Sequence, residues 1–233
     1  MKDSKIIVIE GTDGSGKQTQ TKLLMERLKK EGYEVYTTSF PNYDSDSSAL
    51  VKMYLAGHIA PDANGVSAKA ASIFYAADRY ITYKQQIEKE YCEGKTMVFD
   101  RYVGSNIIHQ GSKVISELSE EKDKKEKLEQ FITWLDNLEH NDFGIPRADV
   151  TIYLRVPVEY TIKLREGRNN KFTGGEKQDI HEADTNHLKN ASMSGMMAAD
   201  MLGWNVVECV KDDSMRTIED IAEEVYNIVK NKI

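Results

Sequence analysis

The segment Gly11-Thr-Asp-Gly-Ser-Gly16-Lys17, set between an apolar run and a helix-forming stretch, constrains the fold of this chain more than any other feature. Its glycines let the backbone curl around an anion, so that successive N–H groups point at the α- and β-phosphates of a nucleotide. The helix that follows adds its positive N-terminal end, and Lys17 can bridge the β- and γ-phosphates. Gly11, Thr12, Asp13, Gly14, Ser15, Gly16, Lys17, Gln18 and Thr19 are therefore the expected ATP-binding residues. One position departs from the usual pattern. Where Ser or Thr ordinarily follows the lysine and reaches Mg²⁺, this chain has Gln18, with the hydroxyl one residue later at Thr19.

A phosphate loop of this kind belongs to an α/β architecture, and the rest of the chain agrees. Short apolar runs alternate with longer amphipathic stretches, the signature of a parallel sheet flanked by helices. Strands are expected at Ile6–Glu10, Glu34–Phe40, Thr96–Asp100, Val150–Leu154 and Asn205–Cys209. Helices are expected at Thr19–Glu31, where Leu24 and Leu28 share a face, along Ser67–Cys92, and at Thr217–Lys230, where Ile218, Ile221, Val225 and Ile228 share one. The expected fold is a three-layer P-loop domain spanning residues 1–233, with a five-stranded parallel sheet. Two stretches break the pattern. Ser116–Gln130 is dense in both charges and reads as an exposed helix laced with ion pairs. Arg165–Asp179 is polar, basic and glycine-bearing, and a loop of that length reads as a mobile or functional segment, here a lid at about 165–180.

Composition narrows the class. The formal charge is −7 over 233 residues, with no long basic tract, which argues against a general nucleic-acid binder. No apolar run is long enough for a membrane span or a signal peptide. Cys92 and Cys209 match no metal-ligand spacing and read as reduced thiols of a cytoplasmic protein. Met193, Met196, Met197 and Met201 recur at helical spacing and read as core or interface. Trp134 and Trp204 read as packing residues, and neither His181 nor His187 as a zinc ligand.

ATPases, GTP switches and kinases all share a phosphate loop, so the second substrate must be sought elsewhere. Three further segments resemble the thymidylate kinase family across nearly the whole chain. In Phe74–Arg79 (FYAADR), the family's aromatic ring stacks on thymine and its arginine binds the base, which implies those roles for Tyr75 and Arg79, one helical turn apart. In Asp100–Gln110 (DRYVGSNIIHQ), Arg101 corresponds to the arginine that grips the acceptor's 5′-phosphate. Asp100 corresponds to a residue near metal and phosphates, Asn106 to a thymine contact, and Ser105, His109 and Gln110 to further acceptor-site positions. His109 stands where some relatives have tyrosine. Phe40-Pro41 resembles a segment that positions the acceptor, and Asp13 occupies a family position beside the acceptor's sugar and phosphate.

The resemblance implies more. Gly14 stands where some members carry a catalytic arginine in the phosphate loop, so that arginine is expected in the lid. Arg168 is the first choice and Arg165 the second, with Lys171 and Lys177 beside them. Asp179 and Glu182 resemble an Asp-x-x-Glu element near the acceptor. ATP and Mg²⁺ are the implied cofactors, with Gln18, Thr19 and Asp100 as candidate metal ligands. A homodimer is implied as the assembly, with nucleotides rather than nucleic acid or membrane as partners. The implied reaction moves the γ-phosphoryl group of ATP to thymidine 5′-monophosphate. The alternatives are a kinase for another deoxynucleotide or deoxynucleoside, and a nucleotide-dependent switch or regulatory ATPase.

Overall fold

The computed structural model describes residues 4–62, 65–116, 118–165 and 185–233. Its first strand, β1 (Ile6–Gly11), is apolar on both faces of the pleat, the pattern of a strand covered on both sides. Ile7 and Ile9 point into one core, Ile6 and Val8 into another, and all four are fully buried. α1 (Lys17–Lys30) follows, then β2 (Val35–Ser39), α2 (Ala49–Leu55) and α3 (Ala68–Thr82). A π-helical turn (Tyr83–Ile87) joins α3 to α4 (Glu88–Cys92), so the long helix expected over Ser67–Cys92 is one helical path with a widened turn inside it. Ser67 caps its start, its hydroxyl accepting the Ala70 N–H at 3.2 Å.

β3 (Thr96–Asp100) leads into α5 (Val103–Ser116), α6 (Glu121–Asp136) and a second π-helical turn (Asn137–Asp142). β4 (Val150–Arg155), α7 (Val158–Arg165), α8 (Thr185–Leu202) and β5 (Asn205–Glu208) come next. A small antiparallel pair, β6 (Val210–Lys211) and β7 (Ser214–Met215), precedes α9 (Ile218–Lys230). The five long strands are all parallel, in the order β2-β3-β1-β4-β5. α1 and α9 cover one face through Leu24, Leu28, Ile221 and Val225. Phe40, Tyr83, Ile87 and Tyr102 pack on the other.

Two expectations need correction. α1 starts at Lys17 rather than Thr19, because Gly16, at φ +89°, turns the phosphate loop straight into the helix. The charged stretch Ser116–Gln130 is not one exposed helix: its first residue ends α5, and Leu128 within it is fully buried. Leu128, Phe131, Ile132 and Leu135 form an i, i+3, i+4, i+7 stripe that packs on Ile107, Ile115 and Ala198. The ion-paired face is real but covers only the other side of α6.

α5 and α8 lie close together, and glycine is what lets them. A Cβ on Gly111 would meet Ser194 Oγ at 2.2 Å and Leu128 Cδ1 at 2.8 Å. Gly195, one residue on, faces the Tyr153 ring of β4 with equally little room. Met193 and Met197 pack beside this contact, as do Trp134 and Trp204. Cys92 is exposed and Cys209 buried, and both are free thiols. Among the described residues, no helix is long and apolar enough to cross a membrane.

Candidate active site

Sheet register places the two charged motifs side by side. Ile9 of β1 lies opposite Asp100 of β3, and Asp100 lies opposite Ser39 of β2, so three adjacent strands end together. Their carboxyl ends carry the phosphate loop, Asp100–Arg101 and Phe40-Pro41. Ligands of open α/β sheets bind in the crevice beyond such ends.

In the phosphate loop, Gly11, Gly14 and Gly16 all have positive φ. At Gly11 a Cβ would lie 2.4 Å from Ser15 Oγ and 2.9 Å from the Leu154 carbonyl, so no other residue fits there. The Ser15 N–H donates to the Thr12 carbonyl, closing a turn. Lys17 folds back over it, its ammonium donating to the Thr12 carbonyl at 2.8 Å. Burial, aided by the nearby Arg101 charge, lowers the Lys17 pKa from 10.5 to about 8, against the pull of Asp13, Asp100 and Glu10. Gln18 and Thr19 are exposed on the first turn of α1.

Arg101 is the second cation. Its backbone sits at φ +72°, unusual for a residue with a side chain, and its N–H is held by the Ile9 carbonyl at 3.1 Å. Its guanidinium pairs with Asp13 of the phosphate loop and donates to Ser105 Oγ and His109 Nε2, each at 3.1 Å. Arginine only donates, so His109 Nε2 accepts and the ring is neutral with its proton on Nδ1. The ring then faces His187 Nε2 of α8 at 3.5 Å, and His187 Nδ1 faces Ser112 Oγ at 2.9 Å. The resulting chain runs from Arg101 to the start of α8. Burial works against the Arg101 charge, and the neighbouring carboxylates of Asp13, Asp100 and Glu10 outweigh it and raise its pKa.

Glu10, which the sequence did not single out, anchors the second motif. Its carboxylate, fully buried, accepts the Tyr102 N–H at 2.8 Å, the Ser105 N–H at 2.9 Å and the Ser105 hydroxyl at 2.5 Å. It therefore caps α5 from a neighbouring strand, satisfying N–H groups that a helix start leaves open. Burial is the main reason its pKa lies above the usual carboxylate value, with Ser105 and Arg101 opposing. The only available signal was its place beside the first loop glycine.

The remaining candidates gather around α3 and α5. Phe40 is buried, edge-on to Phe99, with Pro41 following across a cis peptide. Tyr75 is half-buried and stands edge-on to Tyr54. Arg79 is 2% exposed, lies over the rings of Phe40 and Tyr102, and forms a two-point pair with Glu139, which is itself fully buried. Asn106 and Gln110 are buried; Asn106 Oδ1, both polar atoms of Gln110, and Asp100 Oδ1 lack hydrogen-bond partners. Buried polar atoms left open in this way mark a place where a ligand or water completes the set. Arg165 ends α7, and its side chain lies outside the described residues, as do Arg168, Lys171, Lys177, Asp179, His181 and Glu182.

Known proteins resemble this chain over nearly its whole length. A family model described as thymidylate kinase matches residues 9–132. The chain is 31% identical over 232 residues to a probable thymidylate kinase of Pyrococcus horikoshii, covering 97% of this chain and 96% of that protein. It is 28% identical to a probable thymidylate kinase of Pyrococcus abyssi over similar shares. Among solved structures, the thymidylate kinase of Candida albicans superposes with a TM-score of 0.70 at 21% identity, covering 98% of this chain and 92% of that one, a likeness of fold.

Proposed function

Because the chain belongs to the thymidylate kinase family, and is thus an enzyme that transfers the γ-phosphoryl group of ATP to thymidine 5′-monophosphate, we propose how its residues divide that work. The phosphate loop, Gly11–Thr19, holds the triphosphate, with Lys17 on the β- and γ-phosphates. Arg101 holds the acceptor phosphate, assisted by Asp13, Ser105 and His109. Tyr75 stacks on the base, while Arg79, Asn106 and Gln110 read its edge, and Phe40-Pro41 closes the floor. The observation that carries this reading is the adjacency of the buried Lys17 and the partly buried Arg101, two cations on neighbouring strand ends with Asp13 beside both. Two such cations can hold two phosphate groups close together, and phosphoryl transfer needs mainly positioning and charge stabilisation.

The lid at about 165–180 completes the proposal: Arg168 first and Arg165 second supply the cation facing the transferring group, with Asp179 and Glu182 near the acceptor. Closure keeps water from competing. Mg²⁺ suits Asp100, whose buried Oδ1 is a hard oxygen without a partner. Gln18 and Thr19 are the other candidate ligands. The ion supplies charge neutralisation on phosphate oxygens when bound. A cytoplasmic homodimer completes the picture, with Ile73 and Tyr80 as exposed apolar residues of α3 seven positions apart on one face.

The test is a coupled ATP-consumption assay with thymidine, deoxyuridine, deoxycytidine and deoxyguanosine monophosphates, on the wild type and Arg101→Ala. The wild type should turn over the thymidine nucleotide in a Mg²⁺-dependent way. Arg101→Ala should lose about 100-fold or more in kcat/KM while still binding ATP. Equal activity in that variant refutes the acceptor-phosphate role. ATP hydrolysis indifferent to every monophosphate would instead indicate a nucleotide-dependent switch.

A further inference from the structure

The Arg79–Glu139 pair poses a physical question, because a fully buried ion pair is poor evidence of a stabilising device. Glu139 sits in the π-helical turn after α6, and such turns recur at functional places. Its Oε2 accepts Arg79 Nε at 2.5 Å. Its Oε1 accepts both Arg79 Nη2 at 3.0 Å and Asn106 Nδ2 at 3.2 Å. Asn106 Nδ2 also donates to the Ser72 carbonyl at 3.0 Å. A carboxylate and a peptide carbonyl can only accept, so the orientation of the Asn106 amide follows from chemistry: nitrogen toward Glu139, oxygen away from it. That oxygen is the buried atom left without a partner. On the Arg79 side, Nε and Nη2 are engaged and Nη1 lies outside the pair.

We propose that Glu139 is a positioning residue that fixes the polarity of the base-reading edge, a donor from Arg79 beside an acceptor from Asn106. The proposal rests on the reading that these two side chains face the base. Thymine and uracil present a carbonyl acceptor beside an N–H donor, the complement of that order. Cytosine presents an amino donor beside a bare ring nitrogen, the inverse. With a carboxylate at position 139, the Asn106 amide cannot turn round without facing oxygen to oxygen, and cytosine finds no matching edge.

Glu139→Gln tests this: with its amide oxygen kept on Arg79 it turns a donor toward Asn106 Nδ2, opposing the present orientation of the Asn106 amide, which only the Ser72 carbonyl then still holds. The thymidine-over-deoxycytidine monophosphate ratio of kcat/KM should fall by about 100-fold, mainly through KM for the acceptor. KM for ATP should not move. Glu139→Asp, which keeps both acceptors, should retain most of the preference. A folded Glu139→Gln enzyme whose ratio stays within about threefold of wild type overturns the proposal, as does equal loss of preference in both variants. If Glu139→Gln does not fold, NMR of the wild type decides: the Asn106 side-chain amide protons should remain bonded to the protein when thymidine monophosphate binds. Their transfer to the base overturns the proposal. A wild type inactive on every pyrimidine monophosphate would refute the kinase reading instead.

Discussion

A methyl group added at Gly111 tests the packing that holds α5 in place. It would lie 2.2 Å from Ser194 Oγ and 2.8 Å from Leu128 Cδ1, far inside contact distance. Ser194 cannot simply yield, because its hydroxyl is buried and donates to the Ile107 carbonyl at 3.0 Å. Rotating it away leaves a buried hydroxyl unpaired, at about 1–3 kcal/mol. Withdrawing α8 instead opens the contact around Ala198 and Met197, for a similar overpacking cost of about 1–3 kcal/mol. Alanine in a helix interior returns about 1 kcal/mol relative to glycine. The net expectation is that Gly111→Ala destabilises by up to roughly 2 kcal/mol. Urea denaturation should show a lower midpoint at unchanged slope. Ser194→Gly removes the nearer obstruction and leaves only the flexible end of Leu128, so the double variant should recover about 1 kcal/mol of coupling. If Gly111→Ala raises the midpoint, helix propensity outweighs packing and the close approach of α5 and α8 is wrong.

Two further outcomes follow from buried charges near the crevice. Lys17, lowered from 10.5 to about 8, is partly deprotonated in the free enzyme near pH 8, and polyphosphate should restore its proton. ATP binding should therefore take up about half a proton near pH 8, read by calorimetry in buffers of different ionisation enthalpy. Because the folded-state value lies below 10.5, Lys17 should also raise the stability of the free enzyme between pH 8 and 10.5, where the unfolded chain binds more protons. Uptake that is absent near pH 8 counts against the buried position of Lys17. Glu10→Ala should cost about 2–5 kcal/mol in urea denaturation, since it strands the N–H groups of Tyr102 and Ser105. It should also raise KM for the acceptor more than for ATP, and a change in neither would show that water caps α5 as well as Glu10 does.

Much of this architecture is legible in the sequence because the relevant signals are local. An apolar run, three glycines and a lysine identify β1, its loop and α1, and the strands β3 and β4 fall almost where their apolar runs do. What escaped is non-local or masked. The stripe Leu128, Phe131, Ile132 and Leu135 begins inside a segment so charged that composition hid its periodicity, and it continues beyond that segment's end. Glu139 meets Arg79 from 60 residues away, and no spacing rule connects them. Glu10 was read only as the last residue of a strand. Its role as a cap depends on β1 and β3 lying side by side, which pairing determines and the chain order does not.

α5 also acts as a ruler. On the proposed roles, Ser105, which accepts from Arg101, and Gln110, the farthest of the base-reading residues on this helix, are separated along its axis by about 7.5 Å, five residues of helical rise. A helix does not stretch, and Glu10 fixes its zero mark to the strand that carries the phosphate loop. Molecules bearing the right base and the right charge at another separation should therefore fail to register at both ends. On that proposal, selection of a mononucleotide by length comes from the rigidity of one helix, separately from the hydrogen bonds that tell one base from another.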